Sequence, residues 1–377
     1  MKYFAILLLC VALLACVPQA AFADTLDDLE NQVEEGLGNL DLSEVEEVSR
    51  PFLESFVEKV KQIINGELDS AESFFEVLLS MTGRTISQIF PQLAAIFCVL
   101  VICGVARHTS DGLISGETEK VISFVGITVV VISVLSLVVD AYRQVQTMLS
   151  QVAALTDASM PVLLTLVIAN GGNAASAVCQ PSMVMYSSFV INIVQGVLLP
   201  LSVFGLAFVV VSNISSDLRV TKMADFVNSA SSWILGIVFT LFSAFTAVQG
   251  ITAATVDGVS YRAAKFAAKN YIPILGGYIS EGFDIVVAST SLIKNAFGAV
   301  GMLVVFFMAL QPLVTLLCVN LGLQALSAVS EPIVEERYIR LLSGISKSLT
   351  FLAVLVVAVA FMFCILAIVA ISCANGV

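Results

Sequence analysis

The sequence predicts an all-α, polytopic helical membrane protein with about six transmembrane helices behind a cleaved signal peptide. Three observations carry that prediction. Six apolar runs downstream of residue 86 approach or exceed the roughly 20 residues that cross a bilayer as a helix. Hydrophobic residues make up 58% of the 377 and charged residues only 12%, which is more apolar surface than a soluble fold can bury. The charge is also segregated. The net charge is -12, yet ten carboxylates from Asp24 to Glu47 precede the next basic residue, Arg50, so the acidity belongs to one segment and not to the body.

The N-terminus comes first. Lys2, the apolar run Tyr3 to Val17, Pro18 and the triplet Ala21-Phe22-Ala23 form the three regions of a secretory signal over residues 1–23, with cleavage expected before Asp24. A second reading stands beside it: Leu13-Leu14-Ala15-Cys16 resembles a lipoprotein signal, in which Cys16 would be lipidated. In both cases the mature chain begins outside the cytoplasm.

Residues 24–86 are expected to form an acidic exported segment. Up to Ser49 the pattern is acidic with scattered Leu and Val, and it is weakly helical at most. From Pro51, the residues Phe52, Leu53, Phe56, Val57, Val60 and Ile63 share one helical face, and Asn65-Gly66 supplies a stop. Asp69-Ser70-Ala71-Glu72 reads as a capping box opening a second amphipathic helix that should end at Gly83. Glu54 and Glu58 stand against Lys59 and Lys61, so the first helix lacks the basic excess that favours anionic lipid, and protein contacts are expected instead. None of the eight cysteines lies between Asp24 and Phe90, so this segment has no disulfide framework.

The body, residues 87–377, should carry spans at about 87–106, 121–139, 183–211, 232–255, 296–327 and 348–373. The third and fifth are long and contain Pro200 and Pro312, which allows either a kinked span or a tight hairpin. With the N-terminus outside, the connections 107–120, 212–231 and 328–347 fall inside. They hold Arg107, Lys120, Arg219, Lys222, Arg337, Arg340 and Lys347, as the positive-inside rule asks. The connection 256–295 breaks the rule, since Arg262, Lys265, Lys269 and Lys294 fall outside.

Two shorter apolar stretches lie between spans: Ser159-Met160-Pro161-Val162-Leu163-Leu164, running to Gly172, and Ile272-Pro273-Ile274-Leu275-Gly276-Gly277, running to Glu281-Gly282. Both are too short to cross and read as re-entrant or surface-lying segments. Their prolines are 273 − 161 = 112 positions apart, as are Pro200 and Pro312, and the same shift lays the span at 121–139 on 233–251. This points to a parallel internal repeat, units 121–231 and 232–347. Interrupted segments in corresponding positions are a sequence pointer to a pore or partner-contact site, here Asn170, Asn192, Gln195, Glu281, Asp284, Gln311 and Asn320. An intramembrane carboxylate is costly unless paired or wetted, which puts Glu281 and Asp284 first, although carboxylates at the water interface need no special role.

No enzyme chemistry is expected. His108 is the single histidine and follows Arg107 in a loop, with no ligand cluster around it. No phosphate-binding GxxxxGK[ST] occurs, so an ATPase acting here would be another chain, and no basic aromatic surface suggests nucleic acid. No cofactor or metal is expected.

The order of export signal, acidic segment and multi-span body, with IPILGGYISEGFDIVVASTSLIKNAFGAVG (Ile272 to Gly301) and SEPIVEERYIRLL (Ser330 to Leu342), resembles the stage III sporulation protein AE family of endospore-forming bacteria. The resemblance implies a component of a channel or secretion-like complex in the mother-cell membrane facing the forespore, with the N-terminal segment between the two membranes. It implies as partners other proteins of the same operon, including a cytoplasmic ATPase and a ring-forming protein, and a forespore membrane protein. It supplies no catalytic residues. The alternatives are a secondary transporter for a small solute and a non-conducting membrane scaffold of that complex.

Overall fold

In the computed structural model the backbone is described for residues 40–51, 57–58, 60–61, 71–110, 116–169, 173–214, 221–271 and 276–372. Side chains are described for most of these, excepting 71–78, 106–110, 167–182 and 249–288 among others. The signal peptide, the capping residue Asp69 and most of the segment before Ala71 lie outside the described residues, as does Asn170.

The regular structure among the described residues is all helical. The elements are α1 (Ser43–Ser49), α2 (Ala71–Ser110), α3 (Gly116–Ala169), α4 (Asn173–Ile193), a π turn (Val194–Leu198), α5 (Leu199–Ile214), α6 (Thr221–Tyr271), α7 (Gly276–Ser330) and α8 (Glu336–Ser372). Six stretches are long and apolar enough to cross a membrane: Leu79–Val105, Ser123–Leu163, Met183–Ile214, Lys222–Val248, Ser289–Ser330 and Glu336–Val369. Each contains the greater part of one of the six spans expected from hydropathy. The basic connection beyond Asp257 lies between the apolar stretches of α6 and α7, which end at Val248 and begin at Ser289.

Several boundaries differ from expectation. The second amphipathic helix does not stop at Gly83. It continues as α2 into the first span, because the apolar run downstream supplies helix-forming residues and the position is open enough to take the helical backbone. The junction expected between residues 86 and 87 therefore lies inside one 40-residue helix. His108 sits in the last turns of α2 and not in a loop.

The stretch Ser159–Leu164 is not re-entrant. It is continuous helix within α3, with Pro161 in place and Thr165 Oγ1 donating to the Pro161 carbonyl at 3.0 Å. Of the second stretch, residues 272–275 lie outside the described residues, and Gly276 to Gly282 form the first described turns of α7. Neither long span folds back as a hairpin. Pro312 lies inside the uninterrupted α7. Before Pro200 the helix widens to a π turn in which the Leu199 N–H donates to the Val194 carbonyl. Proline has no N–H and its ring crowds the preceding turn, and the wider turn takes up both defects.

The two prolines related by the 112-position offset are locally unlike: Pro200 follows a π turn and Pro312 lies in plain α-helix.

α7 and α8 pack along each other and are the most enclosed helices, with Val304, Leu316, Val319, Leu349, Val356 and Val359 fully buried between elements. α2 and α3 pack on α7, α5 and α6 pack on α8, and α4 bridges α3 and α6. α1 packs on α3, with Val45 fully buried. Of the first expected amphipathic face, Val60 is buried and Val57 half-buried, while Glu58 points out.

Candidate functional site at the joined helix ends

Three contacts bring one end of the bundle together. Between α7 and α8 the chain turns over Ser330 to Glu335, closed by the N–H groups of Ile333 and Val334 donating to the Ser330 carbonyl at 2.9 and 3.0 Å. The Tyr338 N–H then donates to the Glu335 carbonyl at 3.0 Å and starts α8. Glu336 in that first turn suits the positive end of the helix dipole.

The turn seats Ile333 on Gly104 of α2, so closely that a Cβ at residue 104 would come 2.6 Å from the Ile333 carbonyl oxygen. One turn further on, the Tyr338 hydroxyl donates to the Ser123 carbonyl of α3 at 3.4 Å. It also lies over Gly126, where an added Cβ would be 2.6 Å from Tyr338 Oη and 2.8 Å from Cys103 Sγ. Glycine is the residue that lets these helices meet at such distances. Arg337 Nη2 donates to the Ile214 carbonyl at the C-terminus of α5, at 3.4 Å, supplying a cation where the last carbonyls of a helix lack partners.

The segment Ser330 to Leu342 therefore ties α2, α3, α5, α7 and α8 at one end. The three connections carrying the basic residues of the positive-inside pattern lie at that same end. Glu331, Pro332, Glu336 and Arg340 remain exposed on it. Arg340 and Glu336 pair at 3.3 Å, but both are more than half exposed, and such a pair adds little stability.

A second polar cluster lies deeper, between α7 and α8. Asn320 is 1% exposed. Its Nδ2 donates to Thr350 Oγ1 at 2.9 Å, and its Oδ1 accepts from Gln324 Nε2 at 3.1 Å and from the Ser346 hydroxyl. Gln324 Nε2 also donates to Ser346 Oγ at 3.0 Å, and Thr350 Oγ1 donates to the Ser346 carbonyl at 2.9 Å. Interhelical hydrogen bonds of this kind hold membrane helices in register at about 0.6 kcal/mol each on average.

Of the residues expected to line a passage, the four whose side chains are described differ in setting. Asn192, in the last turn of α4, is exposed, and Gln195 is half-buried in the π turn. Gln311 is exposed beside Pro312, whereas Asn320 is sealed in the cluster just described. Glu281 and Asp284 lie on the continuous helix α7, with side chains outside the described residues. Sequence reasoning marked the segment Ser330 to Leu342 as distinctive but assigned no role to Arg337, Tyr338, Gly104 or Gly126. Only the pairing of alternate apolar and aromatic residues with distant glycines could have hinted at it.

The model of the family described as stage III sporulation protein AE matches residues 54–375. The chain is also similar to the stage III sporulation protein AE of Bacillus subtilis (strain 168), at 25% identity over 307 residues, covering 80% of this chain and 76% of that one. No solved structure matches it. The match runs from residue 54 through all six apolar helices and the joined ends, and the chain belongs to the stage III sporulation protein AE family.

Proposed function

We propose that this multi-pass chain acts in sporulation as a membrane subunit of a channel or secretion-like complex between mother cell and forespore. It sits in the mother-cell membrane with its N-terminal segment outside the cytoplasm, and it works with a cytoplasmic ATPase, a ring-forming protein and a forespore membrane partner. Family membership supports the sporulation role. One structural observation carries the rest: the segment Ser330 to Leu342 locks five helices at the basic end yet leaves Glu331, Pro332, Glu336 and Arg340 outward as a rigid polar face. A face held by so many helices can pass a load from a partner into the bundle.

The test is a double charge reversal, Glu331→Lys with Glu336→Lys, in the sporulating host. The expected result is a chain that accumulates in the membrane at its normal level while spore yield falls at least tenfold. Normal spore yield would remove this face as the partner contact.

A non-conducting scaffold is the second reading, favoured by the closed packing of α7 and α8 along the centre of the bundle. A groove of about 730 Å³ lies on the outer face of α6 beside Trp233 and Gly236, away from that centre. Under the scaffold reading, Gln311→Ala and Asn192→Ala leave sporulation intact while charge reversal across residues 24–49 abolishes assembly. A solute transporter would instead show saturable solute binding by the purified chain.

A further inference from the structure

The outward face of α3 changes character in the middle of an apolar stretch. Up to Val139 its exposed residues include Val121, Phe124, Val125, Val129, Ile132 and Val139 itself. From the next residue they include Asp140, Arg143, Gln146, Thr147, Ser150 and Asp157, and no large apolar side chain is exposed again among the described residues of α3. Hydropathy does not show the change, because buried Val145, Leu149, Val152 and Leu155 keep the stretch Ser123–Leu163 apolar throughout.

The neighbouring helix changes at the same level. α2 runs antiparallel to α3 with Cys103 beside Gly126, so stepping 103 − 93 = 10 positions back along α2 to Leu93 matches ten positions forward on α3, to Ser136. Beyond Leu93 in that direction α2 exposes Gln92, Gln88, Ser87 and Arg84, with the apolar Phe90, Ile86 and Leu79 interspersed. On the other side it exposes Ala94, Ala95, Cys98, Ile102 and Val105. Arg84, Asp140, Arg143 and Asp157 make no ion pair among the described residues, and four unpaired charges against hydrocarbon would each cost several kcal/mol.

Two buried polar atoms without a hydrogen-bond partner lie beyond the same level. A Cβ at Gly322 of α7 would run into Leu93, which places Gly322 level with the change. Asn295, whose Oδ1 is one of them, lies 322 − 295 = 27 positions further out along α7, while Ser330 Oγ, also unpartnered, lies on the other side of the level. Gln144 Oε1 is likewise buried and unpartnered, past the change on α3. Dry hydrocarbon surroundings penalise such groups, and water relieves them. α1 also packs on α3 while exposing Asp41, Glu44 and Glu47, which requires part of α3 to lie out of lipid.

We propose that lipid contact on the α2–α3 pair ends at Val139, and that the face beyond it, from Arg84 and Gln88 to Asp157, meets water. The body of the protein is then not bounded by hydrocarbon along its whole apolar length. At the end opposite the basic connections it presents a hydrated, mixed-charge surface.

The test uses the full-length chain in open membrane fragments, where a membrane-impermeant charged maleimide reaches both faces. Single cysteines at Gln88, Gln146 and Ser150 are compared with cysteines at Val125 and Ile132, and peptide-resolved mass spectrometry keeps the native Cys98, exposed on the apolar side, as an internal dry reference. The expected result is labelling at 88, 146 and 150 at least tenfold faster than at 125, 132 and Cys98. Equally slow labelling at all six positions in membranes, with full labelling in denaturant, would mean that lipid or a second copy covers the polar face, and would overturn the proposal. A hydrophobic maleimide that reacts at 125 and 132 in the same membranes confirms that those positions are folded and merely dry.

Discussion

Close approach at single residues decides how the helix ends meet. At Gly126 an added methyl would have to displace both the Tyr338 hydroxyl and the Cys103 thiol, and overpacking of this kind costs about 1–3 kcal/mol. Gly126→Ala should therefore lower the midpoint of thermal unfolding in detergent, and Tyr338→Phe in the same chain should recover part of the loss by removing the nearer obstacle. Additive effects would mean that the two residues do not touch. Just before α1, Asp41 accepts from the hydroxyl and the backbone N–H of Ser43, and both bonds hold its carboxyl below the ordinary value of 3.8. A lowered folded pKa contributes stability that is complete above the unfolded value and is lost as pH falls through the folded one. Amide protection of α1 should thus exceed that of an Asp41→Asn chain at about pH 5, and the gap should close towards about pH 3. A gap that widens on acidification would reverse the assignment.

Among the elements, α2 runs from Ala71 through the first apolar stretch without a break. Gly83 sits on it with a helical backbone and nothing within 4 Å of an added Cβ. Gly83→Ala should stabilise the chain by about 0.5–1 kcal/mol, seen as slower amide exchange through the turns around it. Faster exchange would show that the helix needs a break there. The six spans were legible because a bilayer selects for length and hydropathy, and both are local properties of the chain. Their true extents were not. α3 runs 54 residues because side chains buried against α7 are as apolar as side chains facing lipid, and a hydropathy window cannot separate the two. The expected end of the second span at Val139 nevertheless coincides with the change in its exposed face, since Asp140 was visible as a charge. Pro161 misled because an isolated proline signals an interruption, whereas a helix supported by neighbours keeps it. The joined ends were illegible for a different reason. Tyr338 and Ser123 are 215 positions apart, and no periodicity connects them.

At the scale of the whole molecule, these end contacts restrict topology more tightly than hydropathy does. Gly104 near the end of α2, Ser123 near the start of α3, Ile214 at the end of α5 and Ile333 between α7 and α8 lie within contact of one short segment. The positions Gly104, Ser123, Ile214 and Ile333 must then share one side of the membrane, whichever side that is. Six crossings further require α1 and the chain between α6 and α7 to lie on the other. Single cysteines at Ser115, Ser216 and Glu331 should therefore respond alike to an impermeant maleimide in sealed vesicles, and oppositely to cysteines at Ser43 and Ser260. Ser330 is unsuited to this test because it is buried at 1% exposure. The positive-inside pattern adds the direction: protection at 115, 216 and 331 in right-side-out vesicles, with labelling at 43 and 260. Protection at Ser260 together with Ser115 would mean that α6 does not cross. α7 and α8 would then have to reach the basic end from the same side as α6, and the contacts that gather five helices there could not form within one membrane.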